Sequence, residues 1–484
     1  MYILRCIGCV AFSVAQAIMV FGQGNPTGLK PNIILIIGDD ISYDDIGCYG
    51  NSKVKTPHID SLSSQGIRFD NMYVTSSSCS PSRTSLLTGR YPHNTGAAEL
   101  HEPLPAHLTF FPELLQQAGY YTALAGKWHE GPETARAYDR MEVGRKNGEG
   151  GEERWMDVLD TAYASGRPFF LWLASVDAHR PWSADSQFNV LHDPEREVEI
   201  PPTLLGDGET RKDLASYYNE IGRLDSYVGK IVHSLRKKKI LDHTVIIFMA
   251  DNGRPFPGSK TRLQDRGLKV PFIVYWPQRI GQTAVTEALC SGVDVGPTIL
   301  DMASVMPSPD MQGKSFLSVL KNPSLSFRNH VFSEHNWHDF EAYERAVRTK
   351  DYLYVYNGRP QFDNGGSMDV RESPSYGVLE KQLSSGKLSE LQREPFTKPR
   401  PQEEFYVMSS DSLQIRNEIN NASYKRQIRQ LRRVLRRWQR ETGDTEPKVL
   451  THPVAKPGGG FSKVKGEMPG ASRDATHNNN KGPF

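Results

Sequence analysis

Four runs constrain the fold of this chain more than anything else in it. They are Ile33-Ile34-Leu35-Ile36-Ile37, Tyr120-Tyr121-Thr122-Ala123-Leu124-Ala125, Phe169-Phe170-Leu171-Trp172-Leu173-Ala174 and Val245-Ile246-Ile247-Phe248-Met249-Ala250. They are almost wholly apolar and do not alternate with polar residues. A strand covered on one face alternates, whereas one covered on both does not, and sheets covered on both faces are characteristically parallel. Stretches of helical spacing lie between the runs, at residues 56–66, 108–118, 154–164 and 214–235. Strands alternating with helices predict an α/β fold with a mainly parallel sheet sandwiched by helices. Further strands are expected at 68–74 and 270–277, and a helix at 294–300.

Polar residues follow each run at once. Asp39 and Asp40 follow the first, Lys127 and His129 the second, His179 the third, and Asp251 and Asn252 the fourth. Parallel strands share one carboxyl edge, where open α/β sheets bind ligands, so these residues converge although far apart in sequence. Adjacent carboxylates repel unless a cation neutralises them. Asp39, Asp40, Asp251 and Asn252 offer only oxygen donors, which suits Ca²⁺ or Mg²⁺ rather than Zn²⁺. Asp44 and Asp45 read as a turn, and His93 as structural.

The stretch Cys79-Ser80-Pro81-Ser82-Arg83-Thr84-Ser85-Leu86-Leu87-Thr88-Gly89-Arg90 stands apart. Three serines precede it, which places Cys79 on a loop, and Ser80 or Ser82 is expected to cap a helix starting near Arg83. A thiol at a helix N-terminus beside a fixed cation is a stabilised anion site and a nucleophile. Arg83, Lys127 and Lys260 are cations suited to a sulfate or phosphate. His129 and His179 carry protons near neutral pH. Nucleophile, metal ligands, cations and proton carriers together make an anion-transfer site.

The remaining features bound the setting. Net charge is +2, so the whole chain gives no case for nucleic acid binding. An apolar run from Cys6 to Phe21 follows Arg5 and ends before Gly22, the pattern of a secretory signal peptide. The run is too short for a membrane anchor, so no stable span is expected after cleavage. Export to a periplasmic, extracellular or lysosomal-type compartment follows. Cys48, Cys79 and Cys290 then remain, an odd set that implies no disulfide framework and leaves the pairing of Cys48 with Cys290 open. Residues 130–153, rich in Gly, Arg and Glu, read as a surface insertion. From about residue 326 the pattern alternates as antiparallel strands do, and Tyr424, Ile428, Leu431, Leu435 and Trp438 mark one face of a long amphipathic helix. Its arginines read as a solvated face. The expected division is 1–22 signal peptide, 23–325 catalytic domain, 326–446 C-terminal α+β subdomain and 447–484 disordered tail.

Cys-x-Pro-x-Arg followed by Leu-Thr-Gly-Arg resembles the signature of the type I sulfatases. Asp39-Asp40, Gly126-Lys127-Trp128-His129, His179, Asp251-Asn252-Gly253, the 294–300 stretch and Glu404-Phe405-Tyr406 extend the resemblance from Pro31 to about Gly443. The loop from Asp251 to Thr261, Cys-Ser-Pro-Ser-Arg and Trp438-Gln439-Arg440-Glu441-Thr442 resemble the N-sulfoglucosamine sulfohydrolases (heparan sulfamidases), in which an arginine fills the place of Lys260. The resemblance implies an alkaline-phosphatase-like fold, oxidation of Cys79 to formylglycine by a formylglycine-generating or other sulfatase-maturing enzyme, and a Ca²⁺ or Mg²⁺ ion held by Asp39, Asp40, Asp251, Asn252 and residue 79. It also implies roles. Arg83 stabilises the aldehyde hydrate that attacks sulfur, and Lys127 and Lys260 offset charge on the sulfuryl oxygens. His179, with Lys260, assists the leaving group, and His129 removes the proton that lets sulfate depart. The implied substrate is a sulfated saccharide, either N-sulfated glucosamine or a polysaccharide O-sulfate. A phosphatase or phosphonate monoester hydrolase of the same superfamily and a non-catalytic glycan-binding pseudoenzyme are the alternatives. The oxygen-only metal set weighs against the first, and the filled site positions weigh against the second.

Overall fold

Stretches of consecutive apolar residues form the centre of one eight-stranded sheet. Its strands are β1 (Asn32–Gly38), β2 (Ile67–Phe69), β4 (Tyr121–Gly126), β5 (Arg140–Val143), β6 (Phe169–Ala174), β7 (Thr244–Ala250), β8 (Phe272–Tyr275) and β9 (Ala284–Thr286), with the short β3 (Met72–Tyr73) lying apart and pairing with β10 (Cys290–Ser291). The spatial order is β5-β4-β6-β1-β7-β8-β2-β9. This computed structural model describes residues 30–144, 150–455 and 461–467. The expected signal peptide, 1–22, lies outside the described residues.

β1 sits at the centre, parallel to β6 and β7 in a register that aligns Ile37 with Ala174 and Gly38 with Ala250. Every residue from Ile33 to Ile37 is fully buried, as a strand covered on both faces requires. The aligned register brings the strand ends to one level. Asp39 N–H donates to the Asp177 carbonyl at 2.8 Å, Asp251 N–H to Gly38 at 3.1 Å and Lys127 N–H to Ala174 at 2.8 Å. The mainly parallel sheet is therefore as expected, with one exception, since β8 runs antiparallel to both β7 and β2.

Helices α1 (Pro57–Gln65), α2 (Cys79–Thr88), α3 (Phe111–Gln117), α4 (Trp155–Ala164), α5 (Gly208–Lys237) and α6 (Val295–Met302) belong to the same unit. α5 extends further than its apolar spacing marks, because Asp207 caps it by accepting from Thr210 N–H at 2.8 Å. α3 begins later than expected, at Phe111, where Pro112 occupies its first turn.

A second, antiparallel sheet follows: β11 (Val331–His335), β12 (Glu344–Arg348), β13 (Tyr352–Asn357) and β14 (Glu403–Val407), in sequence order. The helix α7 (Lys425–Thr442) buries Ile428, Leu431, Leu435 and Trp438 in a core shared with Phe332, Val347, Tyr354 and Phe405. The C-terminal antiparallel sheet and its long helix are thus as the alternation and helical spacing predict.

Three expectations change. The 68–74 strand is two short strands, β2 and β3, broken at Asp70 and Asn71. Residues 130–153 are not simply a surface insertion: β5 adds an edge strand to the main sheet beside β4, and Glu130 and Glu152 are buried. Of the tail expected to be disordered, 447–484, the described residues 447–455 and 461–467 are ordered, and 456–460 and 468–484 lie outside the described residues. His452–Ala455 pairs with Phe461–Val464 as an antiparallel hairpin, and buried Thr451 donates its hydroxyl to Glu99 at 2.7 Å. Cys48 and Cys290 are free rather than paired.

Candidate active site

The centre of the site is the first turn of α2. This helix starts at Cys79, four residues earlier than the expected start near Arg83, and its cap position is Ser78 rather than Ser80 or Ser82. Pro81 falls in the first turn, where its missing N–H costs nothing. Ser78 occupies the cap position, but its hydroxyl lies 2.6 Å from His338 Nδ1 and makes no side-chain cap. All ten helix residues are buried. Gly89 ends the helix at φ 65°, a left-handed conformation that glycine adopts without strain. Ser82 pins the helix to the sheet edge by donating to the Asp251 carbonyl at 2.6 Å.

The carboxylates gather beneath this turn. Asp40 has φ 57°, which aspartate tolerates better than most residues, and its N–H donates to Asp251 Oδ1 at 3.0 Å. Asn252 Nδ2 donates to Asp40 Oδ1 at 2.6 Å, and the Cys79 Sγ lies 3.6 Å from that same oxygen. Tyr217 supports the turn, its hydroxyl lying 3.0 Å from the Asp40 carbonyl and 2.8 Å from Asp45. Asp45 also pairs with Arg254 at 3.0 Å, so the turn reading of Asp44 and Asp45 stands as a structural one.

Cations ring the carboxylates. Arg83 Nε donates to Asp251 Oδ2 at 2.8 Å, and its Nη2 lies 3.7 Å from Asp39. Lys127 pairs with Asp39. Lys260 Nζ donates to Asp40 at 2.7 Å and to Asp369 at 3.2 Å. Burial opposes charge on Lys127, but Asp39 raises its pKa above the usual lysine range. Burial likewise opposes charge on Lys260, which Asp369 and then Asp40 hold well above that range. Burial pushes the Cys79 thiol well up, with Lys127 and Lys260 only partly offsetting it. Burial therefore works against the anionic thiol that the helix N-terminus and Arg83 suggest from the sequence.

The two histidines differ. Burial, then Lys127, holds His129 well below the ordinary histidine range, so it is neutral near pH 7, with Nε2 2.6 Å from His101 Nδ1. Its Nδ1 has no hydrogen-bond partner among the described residues. His179 is 29% exposed, and its Nε2 lies 3.8 Å from both Asp40 and Asp369. The exposure of His179 puts it at the mouth and the buried residues at the floor. His93 stays structural, 3.0 Å from Glu334.

The donor set fits a hard cation. Asp39 Oδ1 and Asn252 Oδ1 are buried and accept no hydrogen bond among the described residues. Ligand atoms of Asp39, Cys79 and Asp251 all lie within 4.8 Å of one another, as do those of Asp40, Cys79 and His179. Orphaned buried oxygens beside crowded carboxylates are what an oxygen-ligated divalent ion resolves.

Thus the structure brings together all the residues singled out in the sequence: Asp39, Asp40, Cys79, Arg83, Lys127, His129, His179, Asp251, Asn252 and Lys260. Two more emerge only in three dimensions. Asp369, in the short helix Met368–Arg371, bridges Lys260 and His179. His101 braces His129, and its own N–H donates to Ser80 at 2.8 Å. Neither lies in a motif or at a strand end. The only sequence cue for His101 is its place in the loop after the Cys79 helix.

Comparison with known proteins agrees with this arrangement. Residues 31–305 match the sulfatase family model, and residues 259–375 match that of the N-sulphoglucosamine sulphohydrolase C-terminal region. The chain is 30% identical over 465 residues to the N-sulphoglucosamine sulphohydrolase of Homo sapiens, covering 85% of this chain and 90% of that protein. It is 29% identical over 464 residues to an ulvan-active sulfatase of Formosa agariphila, covering 86% and 76% respectively. A solved structure of a protein in complex with its substrate D-glucosamine-2-N,6-O-disulfate superposes with TM-score 0.64 at 20% identity, covering 85% of this chain and 98% of that one. With its strand-end carboxylates, its Cys79 helix and both model matches, the chain belongs to the sulfatase family.

Proposed function

We propose that this protein hydrolyses sulfate from a sulfated saccharide, either N-sulfated glucosamine or a polysaccharide O-sulfate, using residue 79 after its oxidation to formylglycine. The observation that carries this reading is the convergence of three cations and two histidines on the buried turn at Cys79. The aldehyde hydrate supplies the attacking oxygen and, through its second hydroxyl, a way to release sulfate without a separate attack by water. A divalent ion, Ca²⁺ or Mg²⁺, held by Asp39, Asp40, Asp251, Asn252 and residue 79 supplies fixed positive charge at that oxygen.

The other tasks fall to side chains. Arg83 stabilises the nucleophilic oxygen from the floor of the site. Lys127 and Lys260 are preorganised cations for sulfuryl oxygens as charge develops on them. His179, at the exposed mouth of the site, donates a proton to the leaving group. His129, neutral and with Nδ1 unpartnered among the described residues, is set to accept the proton of the second hydroxyl. A neutral, buried thiol is a poor nucleophile, which supports Cys79 as precursor rather than working group.

The named activities of the human and Formosa relatives support a sulfated glycan as substrate. On the same reading the catalytic region ends near residue 325, residues 326–446 shape the substrate side, and residues 1–22 direct export. A sulfatase-maturing enzyme is the obligatory partner. The experiment is paired: mass spectrometry of the Cys79 peptide, then desulfation of a panel of N- and O-sulfated saccharides. The expected result is loss of the thiol and activity on at least one sulfated saccharide. An unmodified Cys79 in fully active protein, or an active Cys79→Ala variant, refutes it.

A further inference from the structure

Helix α7 carries eight cations, Lys425 and seven arginines, against one acid, Glu441. It holds a net +7 in a chain whose total is +2, so the rest of the molecule is net acidic. Its buried stripe explains only half of its sequence. At 100° per residue, Arg426, Arg429, Arg433, Arg436, Arg437 and Arg440 fall in an arc of about 100° opposite that stripe, and span about 21 Å of helix axis. All six are exposed. Among the described residues, only Arg432 and Arg437 of this helix form ion pairs, with Glu403 at 2.6 Å and Glu441 at 3.0 Å.

Folding alone gives no reason for this row. Like charges at i,i+3 and i,i+4 repel and weaken a helix, and Arg429, Arg433, Arg436 and Arg440 repeat those spacings along one line. An ordinary solvated face intersperses acids at the same spacings. The choice of arginine over lysine is also chemical. A guanidinium presents a planar fork that pairs bidentately with a sulfate or carboxylate, whereas an ammonium is a point charge. A linear row of forks on a rigid helix, anchored by Trp438 and Leu431 to the antiparallel sheet, matches a linear polyanion.

We propose that this arginine face is an exosite, made of residues other than those of the catalytic centre, that binds a sulfated polysaccharide chain. The ligand class rests on the proposed function, while the site itself does not. A chain held there by several sulfates raises the effective concentration of its sulfated termini at the Cys79 site, in the way that linked binding events do. Turnover of polymer then depends on the helix, and turnover of a single sulfated sugar does not.

The test uses the full chain carrying Arg429→Gln, Arg433→Gln, Arg436→Gln and Arg440→Gln, with binding also measured in a Cys79→Ala background. Its control removes four cations from elsewhere on the surface, Lys230→Gln, Arg236→Gln, Lys237→Gln and Lys239→Gln. A size-defined heparan-type sulfated oligosaccharide is titrated at several salt concentrations. The exosite predicts about tenfold weaker binding and a shallower salt dependence for the arginine variant, on the order expected for four exposed charge contacts, and little change for the control. It also predicts lower kcat/KM on polymer with unchanged kcat/KM on a sulfated monosaccharide, and a melting temperature no lower than the parent's, since the removed charges repel one another. Equal losses in both variants, unchanged affinity in the arginine variant, or arginine-dependent binding to anionic lipid vesicles without binding to the sulfated chain each overturns the proposal. Because the binding arm needs no turnover, a protein that desulfates nothing yet binds the oligosaccharide through α7 sinks the proposed function and leaves the exosite standing.

Discussion

Replacing Lys260 by methionine removes one charge and keeps most of the side-chain volume. The ammonium is buried to within 1% and touches two carboxylates, Asp40 at 2.7 Å and Asp369 at 3.2 Å. Breaking a buried ion pair on one side costs about 3–5 kcal/mol, because the remaining charges stay desolvated. The loss should not vary with pH near neutrality. The folded pKa of Lys260 is raised, so its contribution is complete below the unfolded value near 10.5 and fades only above it. Burial alone would raise the Asp369 carboxyl, but Lys260 and then His179 hold it well below the usual range, so its contribution is present above about pH 4 and fades on acidification. If the same ammonium also faces the sulfuryl group, kcat falls by about 10²–10³. Denaturant melts at pH 6 to 9 and steady-state kinetics read the two effects separately. Lys260→Arg is expected to keep most of both, since a guanidinium spans the two carboxylates. Lys260→Met with kcat within about threefold of the parent refutes the assignment, whatever its stability.

Asp369→Asn leaves Lys260 its bond to Asp40 but removes the carboxylate beside His179; turnover should drop more on an alkyl sulfate or sulfamate than on an aryl sulfate with an acidic leaving group, and equal drops refute its placement on the leaving-group side. Chelation is expected to lower both melting temperature and turnover, with Ca²⁺ or Mg²⁺ restoring them, and Asp251→Asn should blunt the response; a protein indifferent to chelator refutes the metal site. Asp177 and Glu220 converge on Arg223 at 2.6 Å, and burial, then Asp177, raises the Glu220 carboxyl. A raised carboxyl pKa means the folded state holds the extra proton, so stability falls as pH rises from the unfolded value near 4.5 toward the raised one. Glu220→Gln should flatten that slope in pH-dependent melts, and an unchanged slope refutes the protonated-glutamate account.

The sequence makes some parts of this architecture plain and hides others for physical reasons. Asp39, Lys127, His179 and Asp251 were legible because each follows a strand with no polar face, and such strands end on a common edge. Cys79 and Arg83 were legible as a spaced motif. The antiparallel course of β8 was not, because hydrophobic periodicity carries no direction. The start of α2 is ambiguous in the sequence because Ser76, Ser77, Ser78, Ser80 and Ser82 are all cap-type residues, and the one that occupies the cap position, Ser78, bonds His338 rather than its own helix. Asp369 was invisible because its role exists only through contact with residues more than a hundred positions earlier. The edge strand β5 lay hidden among charged residues, since an edge strand needs little apolar surface.

The burial of Cys79 also has a consequence in time. At 2% exposure, within a helix whose ten residues are all buried, the thiol has no route to another protein's active site once α2 is packed. An enzyme that oxidises it must reach the chain before that helix docks on the sheet, or must wait for it to undock. Synthesis, oxidation and folding therefore compete as rates. On the proposed function, a chain that folds first is trapped as a well-packed protein with a cysteine where the proposed chemistry needs an aldehyde. Faster folding would then lower the active fraction, and any substitution that delays docking of α2 would raise it.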